Sequence, residues 1–284
     1  MKTERAEAPA KLNLTLRVLG LDTGGYHLLR SLAQTVSWFD TVEVGVSSDD
    51  ELEIAGLEVP SGGENLVWQA IEALRALTGI RTALRIRLQK RIAVAAGLGG
   101  GSADAAAALL LAAAVLDIPF DLVSRVAPSI GADVPFCLLG GLAMMEGRGE
   151  RLTALTPAGD YAVAIVTPPF VLETAAVYRA WDRLGDPKPR GITGKAVPPS
   201  LRQFAPLIND LEPAALSIAR DLEDWMIDLE DRWDRPVLLT GSGPSLFAFF
   251  SDEQEAASAL ATAPPGARAG VSAVPLATGA RCIE

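Results

Sequence analysis

Four glycines fall within five positions, at Gly97, Gly99, Gly100 and Gly101, and Ser102 follows them at the head of a nearly pure alanine and leucine run. That composition suits the binding of a phosphate. Glycine lets backbone N–H groups approach an anion closely, with φ values that other residues avoid. The first N–H groups of a helix have no intrahelical partners, and the helix dipole adds partial positive charge at the same point. On this reading Ser102 caps the helix and Asp104 sits in its acid-favouring first turn. A flexible linker is the plain alternative, but linkers are serine-rich with polar flanks, and these flanks read as a strand and an apolar helix. No Lys-Ser/Thr pair follows the last glycine, which excludes a Walker-type loop. Ser102 stands where a dinucleotide fingerprint needs its third glycine. With one histidine, His27, there is no protein-kinase catalytic loop, and "TGSGPS" at 240–245 is not a nucleophile elbow.

Phosphoryl transfer further needs an acceptor hydroxyl held in line and a group to take its proton. Asp133, in "GADVPF", is a candidate base; a turn carboxylate accepting backbone N–H bonds is the competing account. Lys11 stands on a strand rich in apolar residues, where a snorkelling surface lysine is the default. Asn13, two positions on, shares the strand face of Lys11. Tyr26 and His27 follow a Gly24-Gly25 turn, and Asn65 precedes a helical run that it could cap.

The elements that must position these residues follow from periodicity. Leu12, Leu14, Leu16 and Val18 alternate with polar residues, which predicts a half-buried strand, and "SLAQTVSWFDTVEVGV" predicts one or two more. Residues 64–78 place apolar groups at helical spacing, with Gly79 as the stop. Leu84, Ile86 and Leu88 oppose Arg85, Arg87 and Gln89, a strand from a sheet with one wet side. "DLVSRVAPSIGADVPFCLLGG" reads as a short helix, a turn and a strand. In the second half, "YAVAIVTPP" reads as a strand and "TAAVYRAWDRL" as a helix. "EPAALSIARDLEDWMIDLEDR" reads as one longer helix, and "VLLTGSGPSLFAFF" as strand–turn–strand. A further helix over "DEQEAASALATA" and an edge strand over "GARAGVSAVPLA" complete the pattern. Mixed strands and helices without regular βαβ alternation favour an α+β fold.

The whole chain sets bounds on function. Its 284 residues suggest two domains. A net charge of −10 argues against a nucleic-acid partner. Two cysteines far apart, Cys137 and Cys282, and an N-terminus without an apolar leader lead us to expect a cytoplasmic protein with reduced thiols. One histidine and two cysteines are a poor ligand set for a zinc site. The longest apolar run, residues 105–116, is too short to span a bilayer.

"AAGLGGGSADAAAALL" resembles the signature loop of the GHMP kinases, and "EAPAKLNLTLRVLG" and "TGSGPSLFAFF" resemble their first and third motifs. The order of "PAKLNLTL", "GYHLLRSL", "AGLGGGSADAA", "GADVPF", "NDLEPAA" and "TGSGPS" is similar to one branch of that superfamily, which acts on a cytidine diphosphate-linked methylerythritol. The resemblance implies a two-domain α+β kinase with mixed and antiparallel sheets, an N-terminal ATP-binding domain over 1–152 and a C-terminal domain over 153–284. It implies ATP-dependent phosphorylation of the substrate's 2-hydroxyl in non-mevalonate isoprenoid biosynthesis. Lys11 and Asp133 would be catalytic. Asn65, Gly97, Leu98, Gly99, Gly100, Gly101 and Ser102 would contact ATP. Asn13, Tyr26, His27, Thr174, Tyr178, Gly241, Ser242 and Gly243 would serve the second substrate, with Tyr26 and Tyr178 stacking on cytosine and His27 bonding its edge. Magnesium is expected with ATP, though no residue cluster identifies its ligands.

The chain departs from the family pattern at four positions. Asp22 and Gly24 stand where that pattern has Arg and Asp, Ala103 replaces a second serine, and Ala93 stands at a frequent proline. A homoserine- or mevalonate-type kinase and a non-catalytic ligand sensor on the same scaffold are the alternatives. The Tyr-His pair argues against the first. Lys11, Asp133 and the intact loop together argue against the second.

Overall fold

The structure, a computed structural model, describes residues 3–156 and 159–283. Period-two patterning produces two long strands, β1 (Thr3–Leu21) and β2 (His27–Val46), paired antiparallel from Thr3↔Gly45 to Leu21↔His27. They are followed by β3 (Glu51–Gly56), α1 (Leu66–Thr78), β4 (Leu84–Lys90), α2 (Gly100–Val115), α3 (Phe120–Ile130), α4 (Val134–Leu139), β5 (Leu142–Gly147) and β6 (Arg151–Leu155). The second edge of β2 is shared: Thr41–Val46 pair with β4 and Leu29–Gln34 with β5. β3 lies parallel to β4, and β5 pairs with β6.

The remaining chain supplies β7 (Ala162–Thr167), α5 (Thr174–Leu184), β8 (Gly191–Ile192), β9 (Leu207–Ile208), α6 (Glu212–Ile218), α7 (Asp221–Trp233), β10 (Leu238–Leu239), β11 (Leu246–Phe250), α8 (Glu253–Leu260), β12 (Ala269–Ala273) and β13 (Arg281–Ile283). An antiparallel sheet runs β10-β11-β7-β12, and β8 pairs with β9. β13 returns to the first sheet, beside β1, and β6, which contains residues 152 and 153, belongs to that sheet as well.

Four layers result. Helices α1, α2 and α3 cover one face of the first sheet, through Ala6, Ala8, Val42, Val44, Ile86 and Leu88. Its other face meets the second sheet, where Leu12, Leu14 and Leu32 pack with Val163, Ile165, Phe247 and Phe249. Helices α5, α6, α7 and α8 cover the far side of that second sheet. The α+β architecture expected from the sequence is therefore the one adopted.

Three expectations change. The middle of β1 is buried on both faces from Ala8 to Leu14: the second sheet covers Leu12 and Leu14, while the glycine loop lies against Lys11 and the Thr240–Gly241 turn against Asn13, on what the alternation marks as its polar side. "VPFCLL" is the short helix α4, with Pro135 in its first turn, where its missing N–H costs nothing. The single helix expected over 212–232 is two, since Ala219 leaves helical backbone (φ −136°, ψ 86°).

Candidate active site

Lys11 and Asn13 sit on a stretch of β1 bounded by register shifts at Pro9/Ala10 and Asn13/Thr15. Bulges of this kind re-aim side chains beside sites. The Lys11 ammonium donates to Asn13 Oδ1 at 2.6 Å and lies 3.2 Å from Asp133 Oδ2. Asn13 in turn donates from Nδ2 to Ser31 Oγ (2.7 Å), and its backbone N–H meets Thr240 Oγ1. Asn13 is thus committed on both ends of its amide, and it holds Lys11. Asp133 occupies the N-cap position of α4, yet its carboxylate makes no cap bond among the described residues. It faces Lys11 instead.

The glycine loop delivers α2 to the same place. Gly99, left-handed at φ 68°, is the N-cap of α2, and no side chain caps this helix among the described residues. Ser102 is therefore not the cap. The helix begins at Gly100, three residues earlier than a cap at Ser102 would set, and the N–H groups of Gly100, Gly101 and Ser102 are left without intrahelical partners. Asp104 is also not a solvated first-turn acid. It is buried in the second turn, because α2 is apolar all round and packed on every side.

Beneath the loop, Lys90 reaches Asp104 Oδ2 at 2.7 Å and also donates to Asp40 Oδ2. Asp40 Oδ1 accepts from the backbone N–H of Ile92 at 2.8 Å. All three side chains are almost fully buried. Burial pushes the Asp104 carboxyl up to about 8, against the pull of the Lys90 ammonium. Burial disfavours the charge on Lys90, but the two carboxylates together outweigh it and raise its pKa. Asp104 Oδ1 has no hydrogen-bond partner among the described residues.

A second glycine turn closes against the first. A β-carbon on Gly97 would lie 2.3 Å from the Thr240 carbonyl oxygen, and one on Gly241 would lie 3.0 Å from that of Gly97. Ser242 Oγ and Thr174 Oγ1 are 2.9 Å apart. From Thr174, the stripe Thr174, Tyr178, Asp182 follows one face of α5. Tyr178 stacks at 4.6 Å on the His27 ring, whose Nε2 meets Asp182 Oδ1 at 2.8 Å. Burial, with the Asp133 carboxylate adding to it, pushes the Tyr178 phenol up to about 12. Tyr26, 59% exposed, stands beside this group and carries the Arg148 guanidinium over its ring at 3.8 Å. Tyr178 thus packs on His27, and both tyrosines line the same cavity.

A cavity of about 1420 Å³ joins these parts, and all the sequence-derived site residues except Gly243 line it. Asn65 lines it while capping α1, its Oδ1 accepting from Val67 N at 2.9 Å. Lys90, Asp104, Arg148 and Asp182 line it as well, and the sequence reading assigned them no role there. A signal existed for three of them. The alternation Leu84, Ile86, Leu88 continues to Lys90 on the buried face; Asp104 interrupts an otherwise apolar helix; Asp182 falls four residues after Tyr178. Arg148, on a turn, had none.

Residues 65–141 match the family described as GHMP kinases N terminal domain. The 4-diphosphocytidyl-2-C-methyl-D-erythritol kinase of Pelotomaculum thermopropionicum is 38% identical over 261 residues, covering 88% of this chain and 90% of that one. A crystal structure of 4-(cytidine 5'-diphospho)-2C-methyl-D-erythritol kinase superposes with a TM-score of 0.77 at 34% identity, over 97% of this chain and all (100%) of the other. The homoserine kinase of Cytophaga hutchinsonii shares the fold, with a TM-score of 0.70 at 18% identity, over 100% of this chain and 98% of its own.

Proposed function

The chain belongs to the 4-diphosphocytidyl-2-C-methyl-D-erythritol kinases, ATP-dependent enzymes of the GHMP kinase fold, and from that membership we propose how its own residues perform the transfer. The acceptor is the 2-hydroxyl of 4-diphosphocytidyl-2-C-methyl-D-erythritol. Asp133 takes the hydroxyl proton as its oxygen attacks the γ-phosphorus of ATP; the new O–P bond forms, the bond to the β-phosphate oxygen breaks, and ADP leaves. Lys11, held by Asn13, stabilises the developing charge on the acceptor oxygen. The free N–H groups of Gly100, Gly101 and Ser102 receive the phosphates at the positive end of α2. The observation that carries this reading is the Lys11–Asp133 pair, 3.2 Å apart in the cavity that α2 opens onto.

The cytosine end is read by Tyr26 and His27. In the neutral ring, Nε2 donating to Asp182 leaves Nδ1 as a hydrogen-bond acceptor. That polarity suits the exocyclic amine of cytosine and repels the carbonyl of uracil. A homoserine-type substrate would leave this aromatic group with nothing to bind.

ATP brings magnesium on its phosphates. No group of three or more His, Cys, Asp or Glu residues able to hold a metal occurs among the described residues. Phosphate oxygens and water would supply most of the ion's shell, as this hard and strongly hydrated cation commonly requires. Bound there, it would neutralise charge on the transferring group. We also assign the protein to the cytoplasm. Cys137 and Cys282 form no disulfide among the described residues, and no helix among them is long and apolar enough to cross a membrane.

The test is ATP turnover with and without the cytidylyl substrate. ADP release that depends on that substrate supports the reading; release that ignores it, or that homoserine elicits equally, overturns it.

A further inference from the structure

We propose that Asp22 and Arg148 form a strap that fixes Tyr26 as a one-sided platform for the cytosine of the substrate. Arg148 is then a positioning residue that acts through Tyr26. The inference rests on the cytidylyl-kinase reading above and adds a part to its base subsite.

The strap begins in the turn that carries Tyr26. Asp22 Oδ1 accepts from the backbone N–H groups of Gly24 (2.8 Å) and Tyr26 (3.0 Å), which folds the turn around one carboxylate oxygen. Asp22 Oδ2 accepts from Arg148 Nε at 2.8 Å and lies 2.7 Å from its Nη2. The Tyr26 amide, followed by the Arg148 side chain, holds the Asp22 carboxyl below its usual range. Arg148 comes from the turn between β5 and β6, far away in sequence. Its own N–H is tied to Glu150 Oε2 at 2.7 Å, and Gly147 and Gly149 on either side adopt positive φ. The guanidinium, aimed by Asp22, lies flat enough over Tyr26 to place Cζ 3.8 Å from the ring centroid. One face of the tyrosine is thereby covered, and one is left for a base.

Two departures from the family pattern become one arrangement. That pattern has Arg at position 22 and Asp at position 24. Here the acid stands at 22 and the base arrives from another strand pair. A β-carbon on Gly24 would lie 3.2 Å from Arg148 Nη2 and 3.3 Å from Asp22 Oδ1. A side chain at 24 would press on the guanidinium, which would have to give by a few tenths of an ångström. Gly24 is therefore the residue that admits Arg148, and Asp22 is the residue that orients it. A platform with rotation about its side-chain bonds arrested loses less freedom when the base binds.

The experiment measures CDP affinity through the ring resonances of His27, the single histidine, alongside steady-state kinetics. It compares the wild type with Arg148→Ala, Asp22→Asn, the double variant and Gly24→Asp. Asn at 22 keeps an oxygen for the turn amides and removes the charge that holds Arg148. Each single variant is expected to weaken CDP binding, and to raise KM for the cytidylyl substrate, by about 3- to 10-fold. KM for ATP is expected to hold, and the double variant to be little worse than Arg148→Ala alone. Unchanged CDP affinity in Arg148→Ala overturns the strap, as does equal weakening of a non-hydrolysable ATP analogue, which would mark a general structural defect. A wild type that binds CDP strap-dependently yet phosphorylates nothing would support the strap and overturn the kinase reading.

Discussion

Gly99 and Lys11 occupy adjoining space so closely that no side chain fits at position 99 without moving the lysine: a β-carbon on Gly99 would lie 2.8 Å from Lys11 Cγ and 3.0 Å from its Cε. On the proposed reading, the loop that receives the nucleotide is also the wall along which the lysine extends toward Asp133. The proposed nucleotide and proton-transfer sites then share one surface, and the missing side chain of Gly99 is what lets them meet.

Gly99→Ala tests that contact. The methyl group must push the Lys11 stem aside, and φ 68° strains any residue with a β-carbon. Turnover is expected to fall by about 10²-fold or more, since small misplacements of a positioned group carry that cost. CDP binding should persist, because Tyr26 and His27 do not touch the loop's backbone. A fully active Gly99→Ala would show that Lys11 can act from another position.

Asp133→Asn keeps the shape of the side chain and removes the base. General-base removal lowers turnover by about 10²–10⁴-fold, and substrate binding should remain. Lys11→Met should be similarly damaging, with the double variant little worse than either, because the two act as one unit. Near wild-type turnover in Asp133→Asn would reduce Asp133 to a turn residue.

The Lys90–Asp40–Asp104 cluster predicts a pH signature. The Asp104 carboxyl is raised from 3.8 unfolded to about 8 folded. The folded chain therefore holds a proton that the unfolded chain releases, and stability from this group is full below about pH 4 and lost as pH rises toward 8. Asp104→Asn imitates the protonated form, so its melting temperature relative to wild type should climb between pH 4 and 8 and level off above. Lys90→Met, which leaves two buried carboxylates facing each other, should cost about 3–5 kcal/mol in denaturant unfolding. A constant difference between Asp104→Asn and wild type across that range would mean Asp104 is ionised throughout.

On the proposed reading, Asp182 sets the tautomer of His27 and so the choice of base. Asp182→Ala frees the ring to present either nitrogen, and discrimination between cytidylyl and uridylyl substrates should narrow by about 10-fold. In the wild type the His27 ring signals should move on adding CDP and stay still with an ATP analogue alone. The reverse pattern would put the wrong nucleotide beside Tyr178.

Much of this was legible in local pattern. Gly97–Ser102 announced the turn that opens α2, and β1, β2, β4 and α5 follow the spacing of their apolar residues. What was not legible depends on partners distant in the chain. β1 reads as half-buried because the cover of its polar face, the glycine loop against Lys11 and the Thr240–Gly241 turn against Asn13, comes from residues about 90 to 230 positions away. Lys90 and Asp40 are 50 positions apart, and neither residue type alone says that it will be buried. The break at Ala219 has neither glycine nor proline to mark it. Asp133 looked equally like a turn carboxylate until its oxygens were found facing Lys11 and not the amides of α4.

The return of β13 to the first sheet bears on how the chain is made. Arg5, Ala6 and Glu7 of β1 pair with Ile283, Cys282 and Arg281, so the outer edge of β1 waits for residues at the far end of the sequence. At ribosomal speeds of about 5–20 residues per second, the roughly 260 residues between the end of β1 and Arg281 take roughly 13 to 52 s to emerge. Throughout that interval the growing chain carries an open strand edge, the kind of template on which neighbouring nascent chains can pair. Arg5 and Glu7 put opposite charges on that edge, one of them later bound by Arg281. The ion pair that closes the finished sheet thus leaves behind, during synthesis, a charged edge that discourages the wrong partner until the right one arrives.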